Sequence, residues 1–270
     1  MPLIEQEYMG INHFLIGPTE EEVLHQLEGK PDELLDLSTR TNNLLFFGVK
    51  AAIEKGANIK KNGRKALMSV LNKYSSITIT KLLNQKFNLH LPEFDSETLN
   101  TEDDGIKIIN LLLDNDVDIS LLYKKVFHEF VVRGEVEAVS EILNTNNLNK
   151  TVKRNALVSA SKDGNLEIVQ LLIERGVNTR SYLNKAFLAA AYHGQLAVVE
   201  LLVANGADIH INNEQALAFA VSCHTNNGHL EVLNYLLENG TNIELSRNSH
   251  PSKWRIIRDM EINEFINNIF

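Results

Sequence analysis

The strongest constraint in this sequence is a period. Residues 155–178, NALVSASKDGNLEIVQLLIERGVN, and residues 185–208, KAFLAAAYHGQLAVVELLVANGAD, share one apolar spacing thirty positions apart. Residues 215–242, QALAFAVSCHTNNGHLEVLNYLLENGTN, repeat it with four extra residues before Gly228, and VFHEFVVRGEVEAVSEILNTN carries the frame one copy earlier. Gly134, Gly164 and Gly194 therefore stand thirty apart, and Gly228 follows Gly194 by thirty-four. Self-similarity at a fixed period of this size implies stacked supersecondary units rather than one closed core. Because four residues are about one helical turn, the insertion is expected to lengthen the first helix of its unit or the loop after it.

Each copy reads as two short helices. The first is expected over roughly residues 155–162, ending at Gly164, where a glycine suits the left-handed turn that closes a helix. The second sets Leu166, Val169, Leu172 and Ile173 at helical spacing and ends at Gly176. A pair this short cannot bury its own apolar stripe and must stack on its neighbours. Strict alternation, the mark of a half-buried strand, is absent, and no a/d heptad persists long enough for a coiled coil.

The shared frame, A-L-x-x-A-x-x-x-G-x-L-x-x-V-x-x-L-L-x-x-G-A-D, resembles the ankyrin-repeat family. Its best matches are Gly206-Ala207-Asp208-Ile209, Gly56-Ala57-Asn58-Ile59 and Gly228-His229-Leu230-Glu231-Val232. Weaker copies lie at 44–59, 65–89 and 105–119; the third lacks a recognisable first helix, and LHLPEFDSETLN before it fits least. The resemblance implies an all-α, ankyrin-type helical-repeat solenoid that holds a protein partner on its concave surface. Two features depart from the family. Its T-P-L-H motif is absent, as at Asn155-Ala156-Leu157, and the period is thirty rather than 33. The loop between Gly176 and Ala186 loses the difference, so the inter-repeat loops are expected to be trimmed and contacts to fall on the first helices.

Three regions follow. Residues 1–32 form an N-terminal helical cap, in which Thr19-Glu20-Glu21-Glu22 is a capping-box pattern and Gly29 a stop. Residues 33–248 hold about seven ankyrin-like repeats, with 93–120 degenerate. Residues 249–270 form C-terminal capping helices, rich in Trp254, Ile256, Ile257, Ile262, Phe265, Ile266 and Ile269. A terminal apolar face needs such covers.

Composition matters mainly for what it excludes. With 44% hydrophobic and 23% charged residues, the chain of 270 residues has ordinary globular composition. A net charge of −9 argues against nucleic-acid binding through overall charge. Cys223 is the only cysteine, which excludes an intrachain disulfide and fits a cytoplasmic or otherwise intracellular reducing compartment. No run approaches the ~18 apolar residues of a membrane span, and the start MPLIEQEYMG lacks the basic and apolar regions of a signal peptide. The 31 asparagines are consistent with an AT-rich genome.

Chemistry has little to rest on. Cys223, His224 and His229 lie close in sequence, but adjacent helical residues diverge by about 100°, and no C-x-x-C or H-x-x-x-H spacing accompanies them. His229 follows glycine where the family commonly has histidine, and His128 falls at the T-P-L-H histidine position; both read as structural. Neither a phosphate loop, a dinucleotide fingerprint nor a nucleophile elbow is present. Glu20-Glu21-Glu22 and Glu102-Asp103-Asp104 sit where a helix start favours negative charge. No catalytic, cofactor or metal residues are assigned, and the chain reads as non-enzymatic.

One pattern stands out. Arg64-Lys65, Lys124-Lys125, Lys153-Arg154 and Lys185 recur before or at the expected starts of first helices, where the macrodipole disfavours positive charge by ~0.3–1 kcal/mol each. Tyr74, Arg133, Lys162, Tyr192 and His193 lie at the far ends of the same helices. Stacking would align these twelve residues as a basic stripe with tyrosines. The expected function is that of a monomeric module binding a protein partner with an acidic patch. Lysines placed there only for solubility are the plainer account. Recognition of RNA along the stripe would need stacking aromatics, and only Tyr74, Tyr123, Tyr182 and Tyr192 are on offer. The alternative function is a host-directed effector of an intracellular bacterium or virus, with an activity in segments 1–32 or 90–104, neither large enough for an independent active-site fold.

Overall fold

A computed structural model describes residues 27, 29–40, 46–93, 99–222 and 227–254. Every regular element among them is an α-helix. The chain divides into two compact units, residues 1–123 and 124–270. The expected capping box at Thr19, the Cys223-His224 pair and the cap residues after Trp254 lie outside the described residues.

Unit 1 holds α1 (Pro31–Arg40), α2 (Phe46–Glu54), α3 (Ile59–Leu71), α4 (Ser76–Phe87) and α5 (Asp104–Asp114). Helix α1 packs on α2 and α3, while α5 packs on both α2 and α3. In unit 2 a second helix touches its own first helix and the second helices beside it. By that standard α5 occupies the second-helix place of the repeat headed by α3. This explains why the copy at 105–119 shows no first helix of its own. Helix α4 is an intervening element, tied to α5 by Lys86, whose ammonium reaches Asp114 at 2.8 Å.

The division falls within α6 (Ser120–Arg133). Unit 2 continues with α7 (Val136–Asn144), α8 (Lys150–Asp163), α9 (Leu166–Glu174), α10 (Arg180–Tyr192), α11 (Leu196–Ala204), α12 (Ile211–Ser222), α13 (Asn227–Glu238), α14 (Ile243–Ser249) and α15 (Pro251–Trp254). First helices stack α8 on α10 on α12, with α14 next; second helices stack α7 on α9 on α11 on α13. Alanines set the close approach of the first helices: Ala160, Ala186, Ala190, Ala191 and Ala216 are all fully buried. Of the positions expected on the second helix, Val169 and Leu172 are fully buried, Ile173 is half-buried, and Ile168, not among them, is fully buried as well. Leu166 is an exception, 38% exposed at the first position of α9.

The first helices begin a turn earlier than expected. Helix α8 starts at Lys150, because the Asn149 side chain caps it by accepting from Val152 N. The residues expected to form an inter-repeat loop are thus wound into the helix, and only 175–179 separate α9 from α10. The trimmed loops follow from this economy. Helix α12 is described as far as Ser222, thirty residues beyond the end of α10 at Tyr192, and residues 223–226 lie outside the described residues.

A repeated link ties each pair to the next. The residue after the conserved-register glycine donates to a carbonyl at the end of the preceding first helix: Asn165 Nδ2 to Val131 O at 2.7 Å, Gln195 Nε2 to Lys162 O at 3.3 Å, His229 Nε2 to Tyr192 O at 2.9 Å. Helix C-termini carry unpaired carbonyls, and these side chains satisfy some of them. The structural reading of His229 holds on that bond.

Helix α12 enters through a left-handed turn. Asn212, Asn213 and Glu214 have φ of 50°, 55° and 66°, a conformation that costs roughly 1–2 kcal/mol per residue outside glycine. The C-terminal segment offsets the cost. His250 Nε2 bonds Asn212 O at 2.9 Å, and Ser246 Oγ donates to Glu214 O at 3.1 Å. Trp254 Nε1 in turn donates to Ser246 Oγ at 3.1 Å, within a buried cluster. The buried Glu214 carboxylate meets His210 Nδ1 at 2.9 Å.

Candidate protein-binding surface

The longer first helices change the electrostatic argument. Lys153 and Arg154 are the fourth and fifth residues of α8, Lys124 and Lys125 the fifth and sixth of α6, and Lys185 the sixth of α10. Arg64 and Lys65 are the sixth and seventh residues of α3. The macrodipole fades within the first turn, so the expected penalty on these cations does not apply. What distinguishes them is which ones have a partner.

In unit 1 all three expected residues are engaged. Arg64 pairs with Asp118 at 3.3 Å and Lys65 with Asp36 at 2.9 Å. Tyr74 donates its hydroxyl to the Asp103 carboxylate, and burial together with that carboxylate raises its pKa far above the ordinary phenol value.

Unit 2 is different. Arg133 pairs with Glu129 one turn earlier, at 2.6 Å, and Arg180 with Asp208 at 3.4 Å. Among the described residues, no carboxylate stands at ion-pair distance from Lys124, Lys153, Arg154, Lys162 or Lys185. Lys124, Lys162 and Lys185 are exposed, and Lys153 and Arg154 half-buried. Burial lowers the Lys125 pKa. Two cations from successive repeats converge on one ring: Arg154 Cζ lies 5.0 Å and Lys185 Nζ 4.9 Å from the Tyr182 centroid. At the helix ends Tyr192 is 42% exposed and packs edge-on against Phe219 at 5.2 Å, with Lys253 Nζ 5.5 Å from the Phe219 ring. Burial, and next the charge of Lys162, lower the pKa of the neighbouring His193, partly opposed by Asp163.

Charge separates by helix position. From Lys124 onward, α6, α8 and α10 carry nine cations against two carboxylates, Glu129 and Asp163. The second helices α7, α9, α11 and α13 carry seven glutamates and no lysine or arginine. Within unit 2 of this chain of net charge −9, positive charge is thus concentrated on the first helices.

Tyr182 and Phe219 went unassigned at the sequence level. Tyr182 was legible as one of four tyrosines, but its role depends on Arg154, twenty-eight residues away. Tyr123, offered as a stacking aromatic, is 2% exposed and unavailable to a base. Among the described residues, no group of three His, Cys, Asp or Glu side chains could hold a metal ion, and no helix is long and apolar enough to cross a membrane.

The repeated helix pairs and their stacking define a helical-repeat protein. Comparison with protein families matches ankyrin repeats, three copies to the match, over residues 100–182 and 178–247, more than half of the chain. The chain belongs to the ankyrin-repeat family, whose members generally serve as protein–protein interaction modules. No curated protein matches it.

Proposed function

We propose that this chain is a non-enzymatic module that binds a protein partner through an acidic patch on that partner. The contact is assigned to the first helices of unit 2: Lys124, Lys125, Lys153, Arg154, Lys162 and Lys185, with Tyr192 and His193 at the helix ends, while Arg133 is left out because it pairs with Glu129. Arg64, Lys65 and Tyr74 are committed to Asp118, Asp36 and Asp103, so they are left out of the contact. The carrying observation is that Lys124, Lys153, Arg154, Lys162 and Lys185 have no carboxylate at ion-pair distance among the described residues, set against second helices of unit 2 whose Asp, Glu, Lys and Arg residues are all glutamates. Like charges ~10 Å apart at an exposed surface repel by about 0.4 kcal/mol per pair. Stability does not call for such a cluster, and an acidic partner relieves it while gaining a steered encounter.

The test is affinity capture from cytosol with three baits: the wild-type protein, K153E/R154E/K185E, and the control E167K/E200K on the opposite helices. A partner retained by wild type and control but lost from the first variant supports the reading. Equal loss from both variants would mean that only net charge matters, and equal retention would return the cations to a solvated face.

A further inference from the structure

We infer that the anchor of this face is the Tyr192–Phe219–Lys253 cluster, which receives an acidic peptide segment carrying a bulky apolar side chain beside a carboxylate. The inference rests on the acidic-partner reading above; it adds Phe219 and Lys253 to the contact and an apolar requirement to the partner.

Three helices build the cluster. Helix α12 packs on both α10 and α15, which brings Phe219 beside Tyr192 and Lys253 beside both rings. The Tyr192 ring stands edge-on to Phe219 at 5.2 Å and to His193 at 5.1 Å. Lys253 Nζ lies 5.5 Å from the Phe219 centroid and 6.0 Å from that of Tyr192. The backbone under the rings is held by His229, whose Nε2 bonds Tyr192 O at 2.9 Å. A partner therefore meets side chains that are already ordered, and the entropic cost of fixing them on binding is reduced.

Two properties of the cluster point to its ligand. Tyr192 is 42% exposed and Phe219 half-buried, so apolar ring surface is left open to water. Lys253 has no carboxylate at ion-pair distance among the described residues, and attraction to the rings restrains its ammonium without consuming its charge. An exposed lysine by itself gains little from a carboxylate in water. An apolar side chain laid across Tyr192 excludes water from the adjoining ammonium, and the charge contact strengthens as the local dielectric falls. Apolar and acidic groups on neighbouring residues of the partner thus reinforce each other at this point.

A nucleic-acid base fits the cluster less well. Bases stack on open, flat ring faces, whereas the Tyr192 and Phe219 planes cross at 83° and Lys253 stands over both rings. A flexible apolar side chain needs no such platform and can fill the angle between the two rings.

Two labelled peptides of equal charge test this by fluorescence anisotropy on the full chain. One carries a phenylalanine between two pairs of acidic residues, and the other has serine in its place. The phenylalanine peptide is expected to bind at least about tenfold more tightly, the gain from burying one aromatic side chain. Y192S should bring the two to within about twofold by weakening the phenylalanine peptide, and Y192F should keep the preference. K253Q should weaken the phenylalanine peptide by more than about fivefold and the serine peptide by less than about twofold. K60Q, the same loss of charge at an exposed lysine of unit 1, should leave both unchanged. Equal affinity of the two peptides for the wild type, with both lost in K153E/R154E/K185E, would overturn the anchor and leave the acidic-partner reading standing. Equal effects of K253Q and K60Q would overturn the pairing of ring and ammonium on which the anchor depends. Failure of both peptides to bind would overturn the anchor, and capture unaffected by K153E/R154E/K185E would overturn the reading beneath it. Tighter binding of an oligouridylate than of the phenylalanine peptide, lost in Y192S, would reassign the rings to nucleic acid.

Discussion

Replacing Gly164 by alanine separates the backbone requirement of a repeat from its contact with the next one. Gly164 closes α8 at φ +79°, where a side chain costs roughly 1–2 kcal/mol. The new Cβ would also lie 2.8 Å from Cδ of Gln195 and press on its Oε1. Gln195 cannot simply stay, yet its Nε2 donates to Lys162 O at 3.3 Å. Moving it loses an exposed hydrogen bond or strains a rotamer, about 0.5–1.5 kcal/mol in either case. Gly176 supplies the control: its φ is +80°, and a Cβ there would meet nothing within 4 Å. Equilibrium urea unfolding followed by circular dichroism compares G164A, G176A and G164A/Q195A. G176A should lose about 1–2 kcal/mol and G164A about 1.5–3.5 kcal/mol. In the double variant the excess should shrink, because the clash is gone. Equal losses for the two glycine variants would refute the reasoning, since Gln195 would then be moving aside without cost.

The same ladder predicts that N165A destabilises by about 1–2 kcal/mol while N165H recovers part of the loss, because His229 makes the equivalent bond two repeats later; identical unfolding midpoints for the two variants would count against the ladder. S246A leaves Glu214 O and Trp254 Nε1 without their partner, with an expected cost of about 2–4 kcal/mol and a red shift in the fluorescence of the single tryptophan; an unshifted spectrum at unchanged stability would refute it. His193 carries a pH prediction. Its pKa is held below the ordinary 6.5 by burial and Lys162, so its contribution to stability is present above 6.5 and is lost as pH falls through the folded value. A bound acidic partner favours the imidazolium, so binding takes up a proton and affinity should rise as pH falls toward the lowered His193 value. H193Q should flatten that rise, and an unchanged slope in titration calorimetry would remove His193 from the contact.

The sequence by itself determined the helix pairs and their stacking. A thirty-residue period with Gly134, Gly164 and Gly194 in register encodes local structure, because helical periodicity and left-handed stops act over a few residues. Ala160, Val169 and Leu172 were legible as core for the same reason, and so was the trimming of the loops. Tertiary structure decided the rest. Asn149 moved the start of α8 back by a turn, and with it Lys153 and Arg154 out of reach of the dipole argument that had singled them out. Helix α5 took its place beside α2 and α3 across the intervening α4, a placement no local pattern records. The division between engaged cations such as Lys65 and unpaired ones such as Arg154 depends on which carboxylates arrive from other helices. Charge is written at each position of the chain, but pairing is a distance between residues far apart in sequence, and only the packed helices set that distance.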